Sequence, residues 1–194
     1  MVQKRVNKAG GKLRIIGGKW RSRQLPVAEL EGLRPTTDRV RETLFNWLQS
    51  EVSGAHCLDL FAGSGALGFE AASRGAASVL MLEVQRQAAN VLAHNIQRLD
   101  AQCIELVHQD AIQWLKAPPA QRYNIVFVDP PFSSDYLGQV CELLECGQYL
   151  AENALIYLEM GSAGALPELP ASWAVAKEKK TGQVAYYLIK SRVK

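Results

Sequence analysis

Hydrophobic and polar positions alternate with two different periods along the chain, and these periods predict its secondary structure. Short apolar runs rich in β-branched residues predict strands, and stretches with apolar residues three or four positions apart predict helices. From residue 56 onward the two kinds of segment alternate. Strands are predicted near 56–61, 78–83, 104–108, 123–129, 154–159, 173–178 and 184–190, and helices near 64–74, 85–98, 110–116 and 136–146.

This alternation predicts the fold class. Strands that alternate with helices are typical of an α/β protein whose mostly parallel sheet carries helices on both faces. The last two strands leave no room for a helix between them, and Thr181-Gly182 supplies a turn. We therefore expect those two strands to pair antiparallel.

Two further elements precede the alternating region. Segments 13–16 and 19–25 flank Gly17-Gly18 and predict a β-hairpin with its turn at the glycines. A helix is predicted from about Thr37, because Val40, Leu44, Trp47 and Leu48 fall on one stripe and Thr36 or Thr37 suits the N-cap.

Positive charge is concentrated at the N-terminus. Residues 1–28 contain eight Lys or Arg and no acidic residue, whereas the whole chain has a net charge of only +3. A basic arm on a mildly acidic body indicates a phosphate-rich partner, although a solvated tail explains the charge of residues 4–12 equally well. Alternation along the second hairpin strand would place its cations on one face. The predicted nucleic-acid-binding residues are Arg14, Lys19, Trp20, Arg21 and Arg23, although Trp20 fits the hairpin core better than a base stack.

Composition narrows the function classes. The 194 residues suffice for one sizeable core, and neither a membrane span of 18 or more apolar residues nor a signal peptide is recognisable. The four cysteines lack Cys-x-x-Cys spacing, and the three histidines lack metal-ligand spacing. We therefore expect reduced thiols, no metal site and a cytoplasmic location.

A glycine-rich turn follows the first predicted strand of the alternating region. Residues 58–62 lead directly into Gly63-Ser64-Gly65-Ala66-Leu67-Gly68, which satisfies Gly-x-Gly-x-x-Gly, and Glu83 follows Gly63 by 20 residues. Glycines let the backbone approach a ligand closely, and the helix that follows offers unpaired N–H groups. Taken alone, this pattern describes a dinucleotide site equally well.

Acidic residues at the strand ends favour S-adenosylmethionine instead. Asp59 lies inside the strand before the glycines, where a carboxylate suits a cationic amino acid and sulfonium better than a pyrophosphate. Glu83 can accept from both ribose hydroxyls of either ligand. Asp110, which ends the third strand, can accept from the adenine amine, cap the following helix, or do both.

The most informative segment is Asp129-Pro130-Pro131-Phe132, which ends the apolar run 124–128. Neither proline can donate to a strand ladder, so the strand must stop there. Beyond it stand a carboxylate, outward carbonyls and an aromatic ring, which together can hold a flat base by its exocyclic amine. An ordinary strand-Asp-Pro turn is the alternative. In a sheet ordered 3-2-1-4-5 this tetrapeptide lies beside the glycine turn, at the point where ligands bind.

The chain resembles class I, Rossmann-like S-adenosylmethionine-dependent methyltransferases, and specifically the bacterial 16S ribosomal RNA guanine-N2 methyltransferase family. Residues 13–23, 33–48, 57–68 and 124–132 carry the resemblance. It implies a sheet ordered 3-2-1-4-5-7-6 with the last strand antiparallel, and an N-terminal hairpin extension. It also implies a basic arm and hairpin over residues 1–35 that docks RNA, and a methyltransferase domain over 36–194. The expected partner is 16S rRNA within the assembling small subunit, and we expect a monomer.

The resemblance also assigns residues. In that family the helix corresponding to residues 37–48 closes over the methionine end of the cofactor, which implies such a role for Arg34, Thr36 and Thr37. The predicted cofactor-binding residues are Arg34, Thr36, Thr37, Asp59, Phe61, Ala62, Gly63, Ser64, Gly65, Glu83, Asp110 and Ala111, and the predicted catalytic residues are Asp129, Pro130, Pro131 and Phe132.

One departure keeps an alternative open. Many adenine-N6 and glutamine-N5 methyltransferases carry Asn-Pro-Pro-Tyr, whereas this chain has Asp129 and Phe132. An ionised Asp is acceptor-only and suits an amine with two hydrogens, but Asp also occurs in DNA adenine methyltransferases. A DNA adenine-N6 or protein glutamine-N5 methyltransferase remains the alternative.

Overall fold

A computed structural model describes residues 11–29, 37–131 and 136–192. The boundaries of the elements follow the predicted ones closely from residue 56 onward. In chain order they are β1 (Lys12–Arg14), a 3-10 helix (Gly18–Trp20), β2 (Gln24–Pro26), α1 (Asp38–Trp47), β3 (His56–Asp59), α2 (Ala66–Ser73), β4 (Ser78–Leu82), α3 (Arg86–Leu99), β5 (Ile104–Val107), α4 (Ala111–Trp114), β6 (Tyr123–Val128), α5 (Tyr136–Cys146), β7 (Leu150–Gly161), β8 (Trp173–Thr181) and β9 (Val184–Ser191).

The central sheet has seven strands in the order β5-β4-β3-β6-β7-β9-β8. Adjacent strands are parallel from β5 to β7, and β9 runs antiparallel to both β7 and β8. Counted from β3, this order is 3-2-1-4-5-7-6. The predicted order and the antiparallel last strand are therefore confirmed.

Apolar residues fill both faces of the sheet. One core cluster contains Leu44 of α1, Phe69 of α2 and Leu92 of α3, together with alternate residues of the strands. The second cluster contains Ile112 of α4 and Val140 of α5 on the opposite face. Strand side chains alternate between faces, so the buried strands supply both clusters at once.

Helix α1 lies where the apolar stripe predicts it. The Thr37 hydroxyl accepts from the backbone N–H of Val40 at 3.4 Å, which confirms Thr37 as the N-cap. Leu44 and Phe45 are fully buried, and Phe45 packs against Phe127 with ring centroids 6.0 Å apart. The helix therefore covers β6, the strand that ends in the Asp-Pro-Pro segment.

The prediction for the second hairpin strand is wrong in part. β1 and β2 pair antiparallel, with Leu13 opposite Leu25, but β2 begins only at Gln24. A 3-10 turn over Gly18–Trp20 replaces the expected strand, because the Trp20 side chain turns inward to be 6% exposed and the Trp20 backbone N–H donates to Ser73 Oγ at 3.0 Å. The basic side chains between Gly18 and Gln24 remain exposed but do not share a strand face. We call these residues, Lys19, Arg21 and Arg23, the hairpin cations.

The hairpin is joined to the rest of the molecule by buried polar contacts. Glu70 of α2 is 0% exposed and accepts from the backbone N–H groups of Ile16 at 2.9 Å and Gly17 at 2.8 Å. Glu70 also pairs with Arg74 at 2.8 Å and faces Arg41, which is 1% exposed, at 3.6 Å. Because hairpin side chains belong to the first core cluster, the hairpin packs as part of that core.

Two negative findings concern the described part of the chain. Over residues 11–29, 37–131 and 136–192, no helix has the length and apolar character needed to cross a membrane. Within the same ranges, no group of three or more His, Cys, Asp or Glu side chains is placed to hold a metal ion.

Candidate active site

The carboxyl ends of the parallel strands bring the predicted site residues to one edge of the sheet. β3 lies between β4 and β6, so Asp59, Glu83 and Asp129 follow or end three adjacent strands. Backbone hydrogen bonds join the residues that lead into the glycine turn to the neighbouring strands β6 and β4. Leu60 donates to the Phe127 carbonyl at 3.1 Å, and Ala62 donates to the Leu82 carbonyl at 2.9 Å. The Asp-Pro-Pro segment therefore lies beside the glycine turn, as predicted.

The glycine turn has the backbone conformation that glycine favours. Gly63 has φ +51° and Gly65, the N-cap of α2, has φ +77°. A Cβ atom on Gly65 would lie 2.5 Å from a ring carbon of Phe69 and 2.7 Å from Leu92 Cδ2. Both the left-handed φ and the close packing therefore require glycine at position 65, which keeps the turn tight against α2.

Glu83 stabilises this turn from the neighbouring strand. Its carboxylate accepts from the Gly63 N–H at 2.8 Å and from the Gln85 N–H at 2.7 Å, and the residue is 7% exposed. A carboxylate has about four lone-pair sites, so it retains acceptor capacity after these two bonds. Glu83 can therefore shape the turn and still accept from the hydroxyls of a ligand.

Asp59 is the most deeply buried carboxyl group of the predicted set. It is 2% exposed and accepts from the Gly68 N–H at 3.1 Å. Burial raises the pKa of Asp59 to about 7, although hydrogen bonds from the backbone of Gly68 and Phe61 offset part of this effect. A positively charged ligand nearby would stabilise its ionised form.

Other residues predicted to bind the cofactor lie on neighbouring elements. Phe61 is half-buried and its ring stacks on Tyr136 of α5, with centroids 6.2 Å apart and an interplanar angle of 13°. Asp110 accepts from the Gln113 N–H at 2.9 Å, which confirms it as the N-cap of α4, and Ala111 is buried beneath it. The adenine contact proposed for Asp110 stays a prediction.

The catalytic segment is described up to its second proline. Asp129 is half-exposed, Pro130 is buried and Pro131 is exposed. Three predicted site residues, Arg34, Thr36 and Phe132, lie outside the described residues. Thr37 is described, and it lies exposed at the start of α1.

Sequence reasoning missed a polar pair on β7, next to this segment. The Tyr157 hydroxyl donates to Glu159 Oε2 at 2.6 Å, and the two residues are 0% and 5% exposed. Burial raises the pKa of Glu159, and the bond from Tyr157 partly offsets that rise. Burial also raises the pKa of Tyr157, with further contributions from the charges of Glu159 and then Asp129. The predicted strand 154–159 ends at this glutamate. An acidic residue at the end of a further predicted strand could therefore have pointed to the pair.

These residues fit S-adenosylmethionine as a ligand. Burial disfavours the ionised form of the Asp59 carboxyl and so raises its pKa, and a sulfonium and an ammonium group nearby would stabilise that ionised form. Left-handed glycines open the turn to close approach, and Glu83 stands at the edge where a ribose would lie. The aromatic pair of Phe61 and Tyr136 offers a flat apolar surface nearby.

The family follows from the match to known sequences. Residues 13–190 match the family model described as Conserved hypothetical protein 95. The chain belongs to this family. Ribosomal RNA small subunit methyltransferase D of Escherichia coli strain K12 is 50% identical over 186 residues, covering 95% of this chain and 93% of that protein. The protein of the same name from Haemophilus influenzae is 47% identical over 183 residues, covering 93% and 94%. These relatives confirm the predicted resemblance.

Solved structures from the family's relatives have the same architecture. The putative methyltransferase yhhF from Escherichia coli superposes with a TM-score of 0.87 at 46% identity, covering 95% of this chain and 100% of that one. The putative methylase HI0767 from Haemophilus influenzae gives a TM-score of 0.80 at 42% identity, covering 93% and 99%. The predicted class I methyltransferase fold is therefore confirmed.

Proposed function

We propose that this protein methylates the ribosomal RNA of the small subunit, using S-adenosylmethionine, and that the acceptor is the exocyclic N2 amine of a guanine in 16S rRNA. The observation that carries the proposal is the Asp-Pro-Pro segment at the carboxyl end of β6, directly beside the glycine turn after β3. The names of the relatives support the rRNA substrate. The choice of guanine rests on the segment itself and on the resemblance.

Each side of the site has a separate task. Asp59, Glu83 and the glycine turn would hold S-adenosylmethionine, which supplies a methyl group activated by its positive sulfur. Asp129 and the Pro130 carbonyl would accept the two N–H bonds of the amine, drawing its nitrogen toward a tetrahedral geometry. The nitrogen becomes positive during transfer, so a fixed carboxylate stabilises the transition state more than the ground state. Alignment of the two reactants can supply roughly 7–11 kcal/mol of the barrier reduction.

The hairpin provides a surface for RNA in this proposal. The hairpin cations are exposed, and none of the salt bridges within the described residues involves them. Trp20, which lies between Lys19 and Arg21 in the chain, contacts Ser73 at the end of α2 opposite the glycine turn. A helix of this length spans about 12 Å, so RNA bound there would reach the site across the α2 face of the molecule. Contacts of this kind position a substrate without reading its sequence.

The test is the Asp129→Ala variant, assayed on small subunits from a deletion strain with labelled S-adenosylmethionine. We expect cofactor binding to be retained while methyl transfer nearly vanishes. Asp129→Asn is the matched variant, because it keeps the shape of the side chain but supplies one acceptor oxygen instead of two. Turnover like that of the wild type in Asp129→Ala would remove Asp129 from the mechanism.

The product identifies the acceptor. Wild-type protein is incubated with subunits, with DNA and with a release factor, and the methylated products are digested and compared with standards by mass spectrometry. We expect N2-methylguanosine from the subunits alone. N6-methyladenine in DNA or N5-methylglutamine in the release factor would identify the alternative function.

A further inference from the structure

Tyr157 and Glu159 form a buried polar pair for which the proposed function provides no role. Removing a carboxylate from water is unfavourable unless hydrogen bonds or charges compensate it. Here the Tyr157 hydroxyl, at 2.6 Å, satisfies one oxygen of Glu159. The pair lies in the carboxyl-terminal half of β7, near the edge that holds the rest of the site.

The pair faces the segment that would hold the acceptor base. β6 and β7 are parallel with Val128 opposite Leu158, the last pair of their ladder. Continued by one residue, this register would place Asp129 opposite Glu159. Neighbouring strands lie about 4.8 Å apart. Phe127 and Tyr157 share one core cluster, and alternation brings Asp129 and Glu159 to that same face. The charge of Asp129 also contributes to the raised pKa of Tyr157, after burial and the charge of Glu159, which is consistent with this placement.

We propose that Glu159 selects guanine by accepting a hydrogen bond from its ring N1–H, while Asp129 and the Pro130 carbonyl accept from the adjacent N2 amine. This inference rests on the proposed function and specifies the substrate of the same site. Tyr157 is the positioning residue in this arrangement. Its hydroxyl holds Glu159 Oε2 and leaves Oε1 to face the base.

Guanine differs from the other amine-bearing bases at this edge. Its amine stands beside a ring nitrogen that donates, whereas the amines of adenine and cytosine stand beside a ring nitrogen that accepts. An ionised carboxylate is acceptor-only, so it attracts the first pattern and repels the second. A site with buried polar groups rejects a ligand that leaves them unpaired. Two neighbouring carboxylates therefore suit a base with three adjacent N–H bonds.

The test replaces the target guanine by 2-aminopurine, which keeps the N2 amine but has an acceptor nitrogen at position 1. The target is first located by mass spectrometry, and both bases are then introduced by ligating a synthetic segment into 16S rRNA for subunit reconstitution. The two substrates compete in one reaction with a single enzyme preparation. The ratio of their kcat/KM values is then independent of the fraction of enzyme that is folded.

We expect wild-type protein to prefer guanine by roughly 5- to 150-fold, the range associated with one base-specific hydrogen-bonding pattern. Glu159→Gln should reduce this preference at least severalfold, because its amide can donate to the acceptor nitrogen of 2-aminopurine. Tyr157→Phe preserves the packing and should reduce the preference by a smaller factor. Glu152→Gln, an exposed substitution on the same strand, should leave the ratio unchanged.

The outcomes separate the inference from the proposed function. If wild type methylates guanine but Glu159→Gln retains the full preference, Glu159 does not read the base and the inference is wrong. An equal rate on both bases in wild type has the same meaning. If wild type transfers no methyl group to guanine at all, the proposed function itself is wrong, and the inference falls with it.

Discussion

Glu70 of α2 holds the hairpin to that helix, and its replacement by glutamine should destabilise the protein strongly. Its carboxylate accepts from two backbone N–H groups and balances Arg74 at 2.8 Å and the buried Arg41 at 3.6 Å. A glutamine of the same size offers one acceptor oxygen and turns an amide donor toward one of these N–H groups. It also removes the charge that faces Arg41, whose Nη1 and Nε have no hydrogen-bond partner within the described residues.

The magnitude follows from these contacts. Hydrogen bonds to charged groups contribute about 1.5–3 kcal/mol each. Breaking a buried ion pair by removing one partner costs about 3–5 kcal/mol when the other charge is left buried and unpaired. Arg41 keeps a second carboxylate partner, Asp38 at 2.6 Å, so the lower end of this range applies. These contributions overlap since they share one carboxylate, so we expect a total loss of about 3 kcal/mol rather than their sum. For a protein of this size, such a loss lowers the Tm by roughly 10 °C.

Thermal and urea unfolding measure this loss, and hydrogen exchange localises it. Glu142→Gln, an exposed substitution on α5, is the matched control and should change the Tm by less than about 2 °C. Exchange at the amides of Ile16 and Gly17 should accelerate in Glu70→Gln more than exchange in β6. A Tm within 2 °C of wild type, or unchanged protection of those two amides, would refute the assigned role of Glu70.

Three further predictions concern the glycine turn, the buried aspartate and the RNA surface. In urea unfolding, Gly65→Ala should destabilise the protein by about 1–3 kcal/mol more than Gly54→Ala. Both glycines have φ +77°, but only Gly65 lacks space for a Cβ atom. Equal losses of unfolding free energy in the two variants would contradict this. Burial raises the pKa of Asp59 to about 7 and the proposed ligand is cationic, so affinity for S-adenosylmethionine should rise between pH 6 and 8 as the carboxyl ionises. Calorimetry should show a flatter dependence of affinity on pH for Asp59→Asn. An identical slope in the variant would exclude Asp59 as the titrating group. Replacing the hairpin cations by glutamine should weaken RNA binding and reduce the slope of log K against log salt by about 2, at roughly 0.7 per lost phosphate contact. Replacing the three lysines of β8 is the control, and an unchanged slope in the hairpin variant would show that RNA docks elsewhere.

The sequence alone determined the parts of this protein that depend on local chemistry. Prolines at positions 130 and 131 must end a strand, and the glycines from 63 to 68 must form a turn before a helix. Hydrophobic periodicity located the strands and helices from residue 56 onward, and Thr37 and Asp110 signalled helix starts. Because parallel strands end at one edge, these local signals also placed Asp59, Glu83 and Asp129 together.

Tertiary structure decided the features that depend on partners distant in sequence. The stretch after Gly18 has the alternation of a strand, yet it forms a 3-10 turn that buries the Trp20 side chain, and Ser73, 53 residues away, accepts the Trp20 backbone N–H. In the sequence, Glu70 is indistinguishable from an ordinary helix residue. Only the folded structure brings two hairpin amides and two arginines to its carboxylate. Glu159 becomes significant only through the register of β6 and β7, which ends one residue earlier with Val128 opposite Leu158, and through its bond with Tyr157. Local propensity sets where an element begins and ends, whereas burial and polar pairing are properties of the assembled core, which no local pattern encodes.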